Sequence, residues 1–219
     1  MKTLVIGANG GVGQHLVTEL HAHNDVFTAG VRQQTQAEAL DNKGIDTVLI
    51  DVEQDDIDTL TQKMEGYDTV VFSVGSGGKT GADKTIIVDL DGAVKTIEAS
   101  VRANVKHYVM VSTYDSRREA FDHVPQLKPY TIAKHYADQH LRQSGLAYTI
   151  VHPGTLTDEP ATDRIAVAKQ FDDKGTITRE DVARVLHRVV HEFSGGQNEF
   201  QVLNGTETLS DHIANVMNK

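Results

Sequence analysis

The chain has 219 residues, no cysteine and a formal net charge of −10. That length suits one α/β domain, 1–219, with a sizeable core; the missing cysteines exclude disulfides and zinc–thiolate sites and agree with a reducing, cytoplasmic setting. The acidic balance argues against a nucleic-acid surface, which needs dense Lys and Arg, and no apolar run approaches a signal core or a membrane span.

Short β-branched runs alternate with amphipathic segments along nearly the whole chain. The first run, KTLVIG, leads into GANGGVGQHLVTEL, where Gly7, Gly10 and Gly13 form a GxxGxxG pattern at the entry to a helix near 11–23. Glycines there permit a tight turn and close backbone approach, and a helix N-terminus attracts a pyrophosphate, so Gly7, Asn9, Gly10, Gly11, Val12 and Gly13 are the expected nucleotide loop. The second run, DVFTAGVR, ends on Arg32, with no carboxylate until Glu38. A fold that prefers NAD usually carries an acid here for the ribose 2′-hydroxyl, so Arg32 predicts NADP(H) over NAD(H).

The third run, DTVLIDV, brings Asp51 and Val52 to the expected adenine side. The acidic stretch EQDDID at 53–58 is read as the cap of a helix near 54–65 rather than as a calcium loop. After the fourth run, DTVVFSV, the stretch SVGSGGKTG ends like a P-loop at Gly78, Lys79 and Thr80, but Ser73 occupies the position where a P-loop needs its first glycine. Ser73 and Gly75 are therefore assigned to a loop bordering the nicotinamide half of the cofactor.

A helical segment near 83–103 and the run KHYVMVS follow, then PYTIAKHYAD, which opens a segment near 129–144. Pro129 suits a first helical turn, and Tyr130 and Lys134 fall one turn apart on a face continued by Ala137 and Leu141. A lysine on a largely apolar stripe is not a solvated-face residue, and an ammonium beside a phenol lowers the tyrosine pKa toward neutrality. The run AYTIVHP, a helix near 179–193 and the run NEFQVLNG complete the pattern. Its βα alternation predicts a parallel sheet covered on both faces, with ligands beyond the carboxyl ends of the strands. On the helix near 179–193, His187 and His191 have an i, i+4 spacing that can chelate a metal, but no HExxH-type carboxylate accompanies them and no metal is expected.

GANGGVGQHLV, VDLDGAVKTIEA, HYVMVST, YTIAKHYADQHLRQSGLAYTIVHPGTL and ITREDVARVL together resemble the short-chain dehydrogenase/reductase superfamily. Within it the chain is similar to the small atypical members described as NAD(P)-dependent epimerase-like or NAD(P)H-binding proteins, from Lys2 to about Val190. The resemblance implies a doubly wound Rossmann-type fold and a Tyr130/Lys134 pair assisted by Ser112 or Thr113, with Thr113 favoured as the substrate-facing hydroxyl. Lys134 would also contact the nicotinamide ribose. Asp89 matches the superfamily's helix-four asparagine, and its carboxylate would hold Lys134 or a relay water. His152 replaces the arginine that relatives usually carry before Pro-Gly; it is kept among the cofactor-side residues, although the arginine's contacts do not carry over. The implied activity is NADP(H)-dependent reduction of a small carbonyl, quinone or flavin-like molecule. The alternatives are a cofactor-binding regulator without turnover and, because only short segments near 153–178 and 195–219 are left for a substrate side, less readily a sugar-nucleotide epimerase. A monomer or homodimer is expected.

Overall fold

The computed structural model describes residues 1–78, 80–192 and 195–209. In chain order the first half runs β1 (Thr3–Ile6), α1 (Gly11–Ala22), β2 (Phe27–Val31), α2 (Gln34–Asp41), β3 (Thr47–Leu49), α3 (Ile57–Met64) and β4 (Thr69–Phe72). A long helical arm follows: α4 (Ala82–Lys84), a π-helical turn (Thr85–Asp91) and α5 (Gly92–Arg102). Then come β5 (His107–Val111), α6 (Lys128–Gln143), β6 (Tyr148–Pro153), β7 (Thr155–Thr157), β8 (Arg164–Ala168), β9 (Thr176–Thr178), α7 (Arg179–His191), β10 (Gln197–Asn204) and β11 (Glu207–Thr208).

The main sheet is ordered β11-β8-β10-β6-β5-β4-β1-β2-β3. From β3 to β10 every pairing is parallel, and β8 closes the far side antiparallel to β10 and β11. β7 and β9 form a separate two-stranded parallel sheet. The central strands β1, β2, β4 and β5 are mainly apolar and almost entirely buried because both faces are covered. On one face α1 and α7 pack together, with Leu16, Leu20, Leu186 and Val189 fully buried against Val5, Val71 and Val109. On the other, α3, α5 and α6 seal Leu60, Met64, Ile97 and Leu141 over Leu4, Val70 and Met110.

All seven anticipated strands are present. The sequence reading missed α2, a polar helix with Ala37 as its buried residue, whose N-terminal end is held by reciprocal Gln33–Gln36 capping rather than by an apolar stripe. It also missed β7, β8, β9 and β11, which are two to five residues long and lie between turns. The 53–58 run does cap α3: Asp56 accepts a hydrogen bond of 2.8 Å from the Thr59 amide. Lys79 of the P-loop-like stretch and residues 210–219 lie outside the described residues. Among the described residues no helix is long and apolar enough to cross a membrane.

Candidate active site

The order β3-β2-β1-β4-β5-β6 reverses direction between β1 and β4, and a crevice opens there beyond the strand ends. At its centre Gly7 has φ +86°, which L side chains rarely adopt, and a Cβ on it would lie 2.7 Å from the Ser73 carbonyl oxygen. Gly13 has a different task. Its Cβ would meet the Gly7 oxygen at 2.1 Å, so its bare Cα lets α1 press against the loop; Gly13 itself does not line the crevice. Gly10 caps α1 with no side-chain hydrogen bond and no acid in the first turn, which leaves the amides of that turn to an anion.

Two adjoining cavities fill the crevice and share Gly10, Ser73, Val74, Gly75, Ser76 and Thr80. The first, of about 370 Å³, holds Gly7, Asn9, Arg32, Asp51 and Val52. Arg32 is exposed at the end of β2, and the Asp51 carboxylate is turned back to accept the Glu53 amide at 3.0 Å. Lys84 and Glu53, which the sequence reading did not single out, pair at this cavity's edge. The second, of about 510 Å³, is lined by Gly11, Val12, Asp89, Ser112, Tyr130 and Lys134 among others.

Lys134 is buried on α6, and its Nζ donates to the Val111 carbonyl at 2.8 Å. Burial lowers its pKa, opposed by the carboxylates of Asp138 and Asp89. Tyr130 departs from the expected direction: its pKa is raised, first by burial and then by Asp89 and Asp138, against a hydrogen bond with Thr113 that pulls the other way. The resting side chain is therefore a neutral phenol, a proton donor. The nearby carboxylates and the loss of water outweigh the ammonium that sequence spacing alone brought into view. Asp89 is buried, and its Oδ2 accepts the Ser76 amide at 3.1 Å, fixing the glycine-rich loop after β4.

Ser112 lines the second cavity and donates to Asp138 Oδ2 at 2.6 Å; Thr113 does not line it but is the hydroxyl that meets Tyr130. His152 corrects the sequence reading. It lines neither cavity; its Nδ1 donates to the Thr113 carbonyl at 2.6 Å and its Nε2 faces Glu199 Oε1 at 2.9 Å. With a carbonyl on one nitrogen and a carboxylate on the other, both positions favour N–H. Burial lowers its pKa, but Glu199, Asp138 and the Thr113 carbonyl raise it further, and the net shift is upward. Arg142 completes the cluster through two bonds to Glu199, so His152 braces the end of β5 rather than touching the crevice.

Arg179, at the first position of α7, was also missed. It lines the second cavity beside Gly11, where a Cβ would lie 2.8 Å from its Cδ, and it pairs with Asp158 at 2.6 Å. No local motif marks it, because α7 reaches Gly11 only through the fold. Asp138 had a readable signal: it follows Lys134 by one helical turn in the same stretch.

Strand order and cradle are those of a dinucleotide-binding Rossmann protein. More narrowly, the chain belongs to the NAD(P)H-binding family, whose model matches residues 7–193. It is 39% identical over 215 residues to YhfK of Bacillus subtilis strain 168, an uncharacterized sugar epimerase by name, covering 97% of this chain and 99% of that one. Among solved structures it is similar to a candidate NAD-dependent epimerase/dehydratase of Bacillus halodurans, with TM-score 0.89, 38% identity and coverage of 100% and 99%. A second is the oxidoreductase ylbE of Lactococcus lactis, with TM-score 0.88, 30% identity and coverage of 100% and 98%. Membership of this family points to a nicotinamide cofactor, and the uncapped α1 terminus and the left-handed Gly7 are features that suit a diphosphate.

Proposed function

We propose that the protein is an NADP(H)-dependent reductase of the atypical short-chain dehydrogenase/reductase type, acting on a small carbonyl, quinone or flavin-like acceptor. The observation that carries this reading is the convergence of Tyr130, Lys134, Ser112 and Asp89 on one cavity that shares its wall with the nucleotide loop. When bound, the nicotinamide would supply hydride to the acceptor, which a carbonyl receives at its carbon. Tyr130, a neutral phenol at rest, gives its proton to the acceptor oxygen, and Thr113 or Ser112 hydrogen-bonds the charge that develops there. The resulting phenolate is stabilised by Lys134, which would also hold the ribose. Arg32 would pair with the 2′-phosphate, and Arg179 would face the diphosphate beside Gly11.

The test is NADPH oxidation over a panel of carbonyls, quinones and flavins, with Tyr130→Phe as the control. Turnover that falls in the variant supports the reading. NADPH binding without turnover, together with a partner captured only when NADPH is present, would mean a cofactor-dependent regulator instead. The name of the Bacillus subtilis relative favours a second reading, sugar epimerisation, which would interconvert substrate stereoisomers with no net NADPH consumption.

A further inference from the structure

At the end of the molecule away from the crevice, the turn between α1 and β2 meets the last turn of α7. Asn24 adopts φ +56°, and the Asp25 amide donates to the Leu20 carbonyl at 3.0 Å. Asp25 itself is held toward α7: its Oδ2 lies 2.9 Å from His187 Nε2 and its Oδ1 3.1 Å from His191 Nε2. The carboxylate absent from the local α7 sequence is thus supplied from more than 160 positions upstream. One donor atom from each of the three residues lies within 4.8 Å of the others. A fourth group stands beside them. The His23 ring is centred 4.5 Å from that of His187, and its Nδ1 is 2.8 Å from the Glu19 carbonyl, to which it can only donate. In the neutral ring that bond leaves the His23 Nε2 lone pair available.

We propose that Asp25, His187 and His191 form a binding site for a divalent transition-metal ion of the zinc type, with the His23 ring beside His187. Two imidazoles and one carboxylate are a borderline donor set that suits zinc, cobalt or nickel better than magnesium or calcium. Ligands about 2.0–2.2 Å from a tetrahedral ion stand roughly 3.4 Å apart; the Asp25–histidine distances lie just inside that spacing and all three donors within 4.8 Å, so the cluster needs only a small adjustment to seat one. His191 can provide it, being 43% exposed on the final turn of α7. The ion would tie the α1–β2 turn to α7. It would lie a helix length from the nucleotide loop, about 18 Å for the twelve residues of α1. The site is therefore separate from the cofactor crevice and from the reading given to it.

The full chain, freed of metal with a chelator, is titrated with Zn²⁺ by calorimetry and with Co²⁺ by visible absorption. One equivalent of each should bind, Co²⁺ should develop the ligand-field bands of a four- or five-coordinate site, and Zn²⁺ should raise the melting temperature. His191→Ala, at a half-exposed position, should weaken binding at least tenfold and abolish the thermal shift, and Asp25→Asn should do the same. His15→Ala, on an exposed face of α1, should change neither. Absence of saturable binding would overturn the proposal. So would binding that survives both cluster variants, which would place the ion on other histidines and leave Asp25 a hydrogen-bonded clamp.

Discussion

Asp89, on the π-helical turn, accepts its hydrogen bond from the backbone of Ser76 in the loop after β4, and the same carboxylate raises the pKa of Tyr130 across the cavity. One side chain therefore shapes the loop and biases the proton donor. Asp89→Asn keeps an acceptor for the Ser76 amide and removes the charge. It should leave NADPH affinity within a few-fold and move the basic limb of the pH–rate profile downward, as the Tyr130 pKa loses one of its upward pushes. Asp89→Ala loses the acceptor as well and should weaken NADPH binding, read by calorimetry.

Tyr130→Phe retains the ring and removes the proton. Turnover on an identified acceptor should fall by roughly the 10²–10⁴-fold typical of general acid catalysis, with NADPH affinity little changed. Full turnover in this variant would require a different proton source.

Arg32 extends from β2 into the first cavity. Loss of a charge-assisted hydrogen bond costs about 1.5–3 kcal/mol, so Arg32→Ala should weaken NADPH by about 10–100-fold and leave NADH nearly unchanged. Equal loss for both cofactors would remove the 2′-phosphate role.

Glu199 is held at a pKa of about 2: burial pushes it up, and hydrogen bonds from His152 and Arg142 more than reverse that. A depressed carboxylate stabilises the fold above its unfolded value near 4.5, and this contribution is lost as pH falls toward 2. His152, shifted upward, acts in the opposite sense: its contribution is complete below an unfolded pKa of about 6.5 and fades as pH rises through the folded value. Urea denaturation as a function of pH should show both limbs in the wild type. Both should flatten in Glu199→Gln.

Gly13 tests the cradle itself. A methyl group there meets the Gly7 carbonyl, and overpacking of this kind costs about 1–3 kcal/mol. Gly13→Ala should lower the melting temperature and weaken both NADPH and NADH, unlike the cofactor-selective effect of Arg32→Ala.

Features that depend on local pattern were legible in the sequence. GxxGxxG between an apolar run and an amphipathic one marks β1, its loop and α1, and Tyr130 and Lys134 share a helical face at a spacing fixed by the α-helix itself. What stayed hidden depends on long-range placement. Arg179 reaches Gly11, and Glu199 reaches His152, only because α7 packs against α1 and β10 pairs with β6. His152 misled because its position in the motif says nothing about where the side chain goes, and it turned to Thr113 and Glu199 inside the sheet. Tyr130 misled in charge, since the lysine was visible along the helix while the burial and the combined pull of Asp89 and Asp138 were not.

The π-helical turn at Thr85–Asp91 has a consequence for which changes the chain can accept. Its wider winding accommodates residues that an α-helix would spread along its axis. Thr96 and Ile97 further along are fixed in the core, Thr96 by a 2.8 Å contact with the Tyr108 hydroxyl. Inserting a single residue between Gly92 and Thr96, where the winding is already α-helical, would turn what precedes it by about 100° relative to that anchored end. Asp89 would leave Ser76 even though no residue of the cavity had been substituted. The floor of the crevice is thus specified by residue count as strictly as by residue type, and substitutions there should be tolerated far better than insertions or deletions.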